Sequence, residues 1–183
     1  MDLREVTEFF RDFAGWIITI AVMLLIFIFI VAPQPVSGNS MVPTLNEGDV
    51  VLVARFASKL GKFNRNDIVI LKKNSKSYIK RIVGLPGEKI DYLDGILYIN
   101  DKAHKEKFLD EDVETSNFLF VDICSLDDCP DSKIPEDKYL VLGDNRPESM
   151  DSRSSEIGLV DRSEIKGKAT FKIWPINDIG KLR

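Results

Sequence analysis

The stretch SGNSMVPTL, residues 37–45, holds a serine in a turn-like setting where its hydroxyl could act as a nucleophile. A serine hydroxyl attacks poorly until a base takes its proton. The single histidine, His104, lies in the polar stretch NDKAHKEKF and is better interpreted as a surface residue, which disfavours a Ser-His-Asp triad. Arginine keeps its proton in proteins, so a neutral lysine is the remaining candidate for the base.

The stretch YIKRIVGLPG, residues 78–87, supplies such a lysine. Strand alternation puts Tyr78, Lys80 and Ile82 on one face, so Lys80 would stand between two large apolar neighbours. A base working near neutrality needs its pKa lowered by roughly 3 units from about 10.4, which burial can achieve. The alternative is that Lys80 and Arg81 are ordinary strand charges with flexible stems.

A third polar stretch, GDNRPESMDSR at residues 143–153, follows the apolar segment YLVL. By composition it is a turn. A functional interpretation is that its side chains hold a neighbouring site in place, with Asp151 pairing with Arg153 and the hydroxyl of Ser149 orienting the base.

The N-terminal segment FAGWIITIAVMLLIFIFIVA, residues 13–32, carries no charge. At about 1.5 Å of rise per residue it matches a bilayer core of about 30 Å, which predicts a transmembrane helix rather than a cleaved secretory signal or a buried core helix. Basic residues precede the span, and none follows it until Arg55. Residues 1–12 are therefore predicted to be cytoplasmic and residues 33–183 extracytoplasmic.

An oxidising compartment would permit a disulfide between Cys124 and Cys129, and two free thiols are the alternative. A zinc site is not expected, because two cysteines and one histidine cannot supply four ligands without carboxylates. The net charge of −4 is spread over 25 basic and 29 acidic residues with no long basic stripe, so nucleic acid is not an expected partner.

Beyond a short extended connector at Pro33 and Pro35, the chain predicts a mainly β domain. Asp94 and Gly95 predict a two-residue hairpin turn, since both positions favour positive φ. Residues 100–136 are more charged and less periodic, which predicts an inserted region or smaller subdomain. The predicted strands are DVVLVARF, DIVILKK, YIKRIVGL, KIDYL, ILYIN, NFLFVDI, KYLVLG and KATFKIWP.

Four blocks of the chain resemble the type I signal peptidases, membrane-anchored serine proteases that use a serine-lysine dyad to remove signal peptides. The blocks are SGNSMVPTL, GDVVLV, YIKRIVGLPGE and GDNRPESMDSR, in the family's order after an N-terminal span. The resemblance implies a β domain of two sheets with a small inserted region. It also implies that Ser40 is the nucleophile and Lys80 the general base.

The same resemblance assigns supporting roles. It implies that the Ser149 hydroxyl helps to orient the lysine amine and that Asp144, Asp151 and Arg153 support the shape of the site. Where some family members carry a serine that donates to the oxyanion, this chain has Gly38, the pattern common among Gram-positive members. The backbone N–H of Ser40 is then the expected oxyanion donor, and the second donor stays open.

The expected substrates are signal-peptide-bearing preproteins cleaved after small residues in A-x-A-like sites, without a cofactor or metal. The resemblance places the protein in the bacterial cytoplasmic membrane, with the lipid bilayer as its second partner. Two alternatives are a self-cleaving regulator with the same dyad and a membrane-anchored β module without activity. The candidate pocket residues are Met41, Leu45, Tyr78 and Ile79.

Overall fold

The structure is a computed structural model that describes residues 11, 13–24, 31–55, 63–109 and 113–182. A helix, α1, covers residues 13–24. Within the described ranges, no helix is long and apolar enough to cross a membrane. Residues 25–30 of the predicted span, and all of the predicted cytoplasmic N-terminus except residue 11, lie outside the described residues.

The C-terminal end of the predicted helix is wrong, because a strand begins at Val31. Val31 and Ala32 pair with the strand that follows the next turn. The two prolines at 33 and 35 explain the difference, since the residue before a proline is disfavoured in a helix and favoured in extended backbone.

The fold is mainly β, in two sheets, as predicted. The larger sheet has the order β1-β2-β10-β3-β4-β8-β9 with β11 on β10, the smaller has the order β5-β6-β7, and every pairing is antiparallel. The strands are β1 Val31–Pro35, β2 Val50–Ala54, β3 Ile68–Lys73, β4 Lys76–Gly84, β5 Ile90–Leu93, β6 Ile96–Ile99, β7 Lys102–His104, β8 Lys138–Leu142, β9 Val160–Asp161, β10 Ile165–Trp174 and β11 Gly180–Lys181.

The smaller sheet begins earlier than the predicted inserted region of residues 100–136. The strands KIDYL and ILYIN form its hairpin, and the turn at Asp94 and Gly95 has φ values of 50° and 77°, as predicted. These two segments pair with each other, and ILYIN pairs on its other side with β7 instead of with the larger sheet. The sequence pattern identified the strands but not the sheet to which they belong.

The segment NFLFVDI is not a strand. Only Phe118 pairs, by a bridge to Tyr92, and Phe120–Ile123 forms a single helical turn, α2. The carboxylates of Asp122 and Asp91 accept from the N–H groups of Leu119 and Phe120, at 2.8 Å each. These acceptors satisfy donors that a helix start leaves free, which stabilises the turn over an extended segment.

Two of the hydrophobic cores position the site. One joins the two sheets and contains Cys129, which is 2% exposed and forms a disulfide with Cys124. The other lies under the turn between β1 and β2, where it buries Met41 and Leu45 together with residues of β2, β3 and β10. The turn that carries Ser40 is therefore anchored from below by its own apolar residues.

Candidate active site

Ser40 lies in the compact turn that follows β1. Backbone bonds from Val42 N–H to Asn39 C=O and from Leu45 N–H to Met41 C=O, at 3.1 and 2.9 Å, close this turn around it. Gly38 has φ of +79°, in the left-handed region that glycine adopts without steric cost. The turn thus brings the serine to the surface while its neighbours Met41 and Leu45 are 1% and 0% exposed.

Lys80 projects from the middle of β4 towards this serine. Its Nζ donates to Ser40 Oγ at 2.6 Å, and the residue is 2% exposed. Burial lowers the pKa of Lys80 to about 8; the carboxylates of Asp151 and Asp144 act in the opposite direction, and Arg153 reinforces the decrease. At pH 7 about a tenth of this amine is therefore neutral, and at pH 8 about half.

Arg81, the next residue on β4, points to the opposite side and is completely buried. Its Nε and Nη2 donate to both carboxylate oxygens of Asp144, at 2.8 and 2.6 Å, and Thr44 Oγ1 donates to the same carboxylate at 2.5 Å. The guanidinium also stacks 4.0 Å above the Phe108 ring. Asp144 therefore connects the 143–153 turn both to β4, through Arg81, and to the turn that carries Ser40, through Thr44.

Gly143 is the point of closest approach between the 143–153 turn and Ser40. A Cβ at this position would lie 2.1 Å from Ser149 Oγ and 2.4 Å from the Ser40 carbonyl oxygen. The Gly143 N–H donates to Asp151 Oδ2 at 3.0 Å, and the next residue but one, Asn145, donates its N–H to the Ser40 carbonyl at 3.1 Å. Only glycine fits between these groups without displacing backbone.

Asp151 and Arg153 form a bidentate pair, with both N–O distances at 2.8 Å and the carboxylate fully buried. Ser149 is also in place beside the site, but its buried Oγ makes no hydrogen bond to any residue that the structure describes. Its orienting role therefore stays a prediction.

A small cavity of about 150 Å³ opens beside the dyad. Met41, Tyr78 and Ile79 line it, together with Gly38 and residues of β1. Leu45 does not, because its side chain is 0% exposed within the core under the turn. A larger cavity of about 370 Å³ lies against the smaller sheet and includes neither Ser40 nor Lys80.

Among the described residues, no three His, Cys, Asp or Glu side chains lie together as a metal site would require. His104 is exposed at the end of β7. Arg81, Thr44 and Asn145 were not predicted from the sequence as residues of the site. Their positions in the sequence could have indicated such a role, because Arg81 follows Lys80 directly and the other two lie within the two polar turns.

Residues 10–174 match a protein-family model described as signal peptidase, peptidase S26. The chain belongs to the signal peptidase family. It is 40% identical over 167 residues to a signal peptidase I of Bacillus licheniformis, covering 90% of this chain and 88% of the relative. It is 38% identical over 181 residues to signal peptidase IB of Staphylococcus aureus, covering 92% and 93%.

Among solved structures, a signal peptidase I from Enterococcus faecalis V583 is 34% identical, with a TM-score of 0.49 over 60% of this chain and 98% of that one. All four blocks that carry the resemblance to signal peptidases lie inside the matched range of residues 10–174. The family assignment thus covers both strands and turns that form the candidate active site.

Proposed function

We propose that this member of the signal peptidase family is a serine endopeptidase that removes signal peptides from preproteins, with Ser40 as nucleophile and Lys80 as general base. One observation carries the assignment of the two residues. The 2.6 Å hydrogen bond between Ser40 Oγ and Lys80 Nζ joins a surface turn to a lysine that is 2% exposed. A nucleophile and its base need to lie within hydrogen-bond distance, about 2.6 to 3.2 Å, for proton transfer.

In the proposed mechanism, neutral Lys80 accepts the Ser40 proton while Ser40 Oγ bonds to the scissile carbonyl carbon. The resulting ammonium returns the proton to the leaving amine as the peptide C–N bond breaks, which leaves an acyl-enzyme on Ser40. The amine then takes a proton from water as that water attacks the ester. Release of the carboxylate product and return of the proton to Ser40 restore the starting state.

The negative oxygen of the tetrahedral intermediate requires a hydrogen-bond donor. The backbone N–H of Ser40 suits this role, because it has no acceptor among the described residues and belongs to the attacking residue itself. Gly38 lacks a side chain that could supply the second donor. One donor is worth about 3 kcal/mol in such sites, so we propose that the Ser40 amide contributes at that level.

We propose that the substrate binds as an extended strand along β4. Residues 76–80 pair with β3 on one side, while β8 pairs on the other side only with Arg81 to Gly84. This half of β4 therefore presents free backbone N–H and C=O groups within the described part of the sheet, which an extended peptide can join. Alternate substrate side chains would then point towards the cavity of about 150 Å³.

The volume of this cavity favours small side chains, which supports cleavage after A-x-A-like sequences. Met41 is fixed in the core below, and Tyr78 and Ile79 lie on the strand beside it. Their side chains limit the space for a branched or aromatic substrate residue. Tyr78→Ala is expected to relax the preference for small residues, as measured by cleavage of precursors with Ala, Val or Leu before the scissile bond.

We also propose that the apolar N-terminal segment anchors the protein in the bacterial cytoplasmic membrane, with the catalytic domain outside. The support is the uncharged sequence from Phe13 and the absence of basic residues after it until Arg55. Extraction of cell membranes at alkaline pH should leave the full chain in the membrane fraction. Protease added to cells whose cell wall has been removed should digest the catalytic domain.

The activity is tested by cleavage of a separate signal-peptide precursor in detergent, from pH 6 to 11. Ser40→Ala and Lys80→Ala are expected to remove cleavage, while exchange of the exposed Ser163 and Lys72 for alanine is expected to preserve it. Retained cleavage in either dyad variant would refute the assignment of that residue. A wild-type protein that cleaves no precursor would contradict the proposed activity.

A further inference from the structure

A buried arginine in the 143–153 turn takes no part in the proposed chemistry. The side chain of Arg146 is 0% exposed, and its Nη1 and Nη2 donate to the two carboxylate oxygens of Glu106 at 3.1 and 2.6 Å. The Glu106 side chain is 6% exposed and comes just after β7. It belongs to the part of the chain at residues 90–136 that contains the smaller sheet, called the smaller region below. The pair therefore joins that region to the turn beside the dyad.

Two other residues of the smaller region surround the same guanidinium. Thr115 Oγ1 accepts from Arg146 Nη1 at 3.1 Å, and the Tyr92 ring of β5 lies 5.6 Å from its central carbon. Glu106, Thr115 and Tyr92 come from three separate segments of the chain. Because a guanidinium has a fixed planar shape, these contacts define the orientation of Arg146 closely.

At its other end, Arg146 holds the backbone of the active-site turn. Its Nε donates to the Gly143 carbonyl at 3.0 Å, and its own carbonyl accepts from Arg153 Nη2 at 2.7 Å. Arg153 binds Asp151, which accepts from the Gly143 N–H. Both polar groups of the Gly143 backbone are thus fixed, one by Arg146 directly and one through Asp151.

We propose that Glu106 and Arg146 are positioning residues, through which the smaller region sets the geometry of the dyad. Gly143 packs directly against the Ser40 carbonyl, so a shift of its backbone moves the serine relative to Lys80. The activity readout of this inference rests on the proposed function. Neither residue contacts the reacting atoms, so their loss should reduce the rate of chemistry and leave substrate binding largely intact.

The test compares the full chain in detergent with Glu106→Gln, which keeps the shape of the side chain and removes its charge. Glu136→Gln is the matched control, since Glu136 is an exposed residue of the same region. We expect Glu106→Gln to lower kcat by about 10-fold or more with KM within about twofold, because misplacement of about 1 Å can cost on the order of 100-fold. Glu136→Gln should match the wild type in both constants.

Amide hydrogen exchange gives a second readout that needs no activity. The N–H groups of Gly143 and Asn145 should exchange faster in Glu106→Gln, while those of β2 should keep their wild-type rates. Should Glu106→Gln fail to fold, Thr115→Val replaces it. The expected fall in kcat is then about 10-fold, the change that corresponds to one lost hydrogen bond to a charged group.

A kcat within twofold of the wild type, or exchange that is unchanged at Gly143 and Asn145, would overturn the proposal. Equal acceleration of exchange in β2 would also overturn it, because that result means general destabilisation instead of local positioning. A wild-type protein without cleavage activity would refute the proposed function alone. The exchange comparison would still decide whether Glu106 holds the Gly143 backbone.

Discussion

Replacement of Lys80 by methionine should abolish cleavage and make the folded protein more stable at neutral pH. Burial lowers the pKa of Lys80 from 10.5 to about 8, so folding at pH 7 must bury a group that prefers to be charged. A difference of about 2.5 pKa units corresponds to about 3 kcal/mol at 1.36 kcal/mol per unit. Methionine is similarly long and apolar, so it fills the same space without this cost.

The sign of the pH dependence follows from proton binding. Between pH 8 and 10.5 the unfolded chain holds a proton on Lys80 that the folded chain has lost, so wild-type stability rises with pH in this window. Relief of this cost alone should raise the free energy of unfolding of Lys80→Met above that of the wild type. The increase is about 3 kcal/mol at pH 7, about 2 kcal/mol at pH 9 and below about 0.5 kcal/mol at pH 10.5. The lost hydrogen bond to Ser40 reduces each value by about 1 kcal/mol.

Urea unfolding of the full chain in detergent, followed by tryptophan fluorescence at pH 7, 9 and 10.5, measures these differences. Lys72→Met is the control, because Lys72 is an exposed lysine on the neighbouring strand β3. Lys72→Met should change stability little, and equally at all three pH values. The reasoning would be refuted if Lys80→Met were less stable than the wild type at pH 7, or if its advantage did not shrink as pH rises.

Three further predictions concern the same site. The profile of kcat/KM against pH should rise with a midpoint near 8, and a midpoint above 10 would exclude a lysine with a lowered pKa as base. Gly143→Ala should lower kcat by on the order of 100-fold, since its Cβ would meet Ser149 Oγ at 2.1 Å; wild-type kinetics would show that the turn adapts. Asp144→Asn should reduce the free energy of unfolding by about 3 to 5 kcal/mol, because Arg81 would keep a buried charge without its partner, and a loss below 1 kcal/mol in urea unfolding would contradict this.

Much of the fold could be predicted from the sequence, because the types of neighbouring residues indicate where strands and tight turns form. Strand segments were visible from β-branched and aromatic residues, and the turn at Asp94 and Gly95 from the preference of both residues for positive φ. Sheet membership was not visible, since the same alternation suits either sheet. The α2 turn was hidden as well, because it depends on Asp91, a carboxylate that is distant in sequence from Phe120.

The candidate site shows the same division between local and distant information. Alternation on β4 placed Lys80 on an apolar face, but it could not show that Lys80 would lie 2.6 Å from Ser40. Arg81 carries an unmistakable charge in the sequence, and its burial depends on Asp144, 63 residues away. Pairing of this kind is a property of the folded chain, so periodicity alone could not reveal it.

Ion pairs lie around the candidate site, but burial has the largest effect on the pKa of Lys80. Arg81 binds Asp144, Arg153 binds Asp151 and Arg146 binds Glu106, each at 2.6 to 2.8 Å. Asp151 and Asp144 raise the pKa of Lys80 and Arg153 lowers it, but burial outweighs these charges, and Lys80 itself forms no ion pair with any described residue. A buried amine without a counter-ion releases its proton more readily, and this is the state that a base needs. The ion pairs around the site therefore hold the two turns in position without keeping the lysine charged.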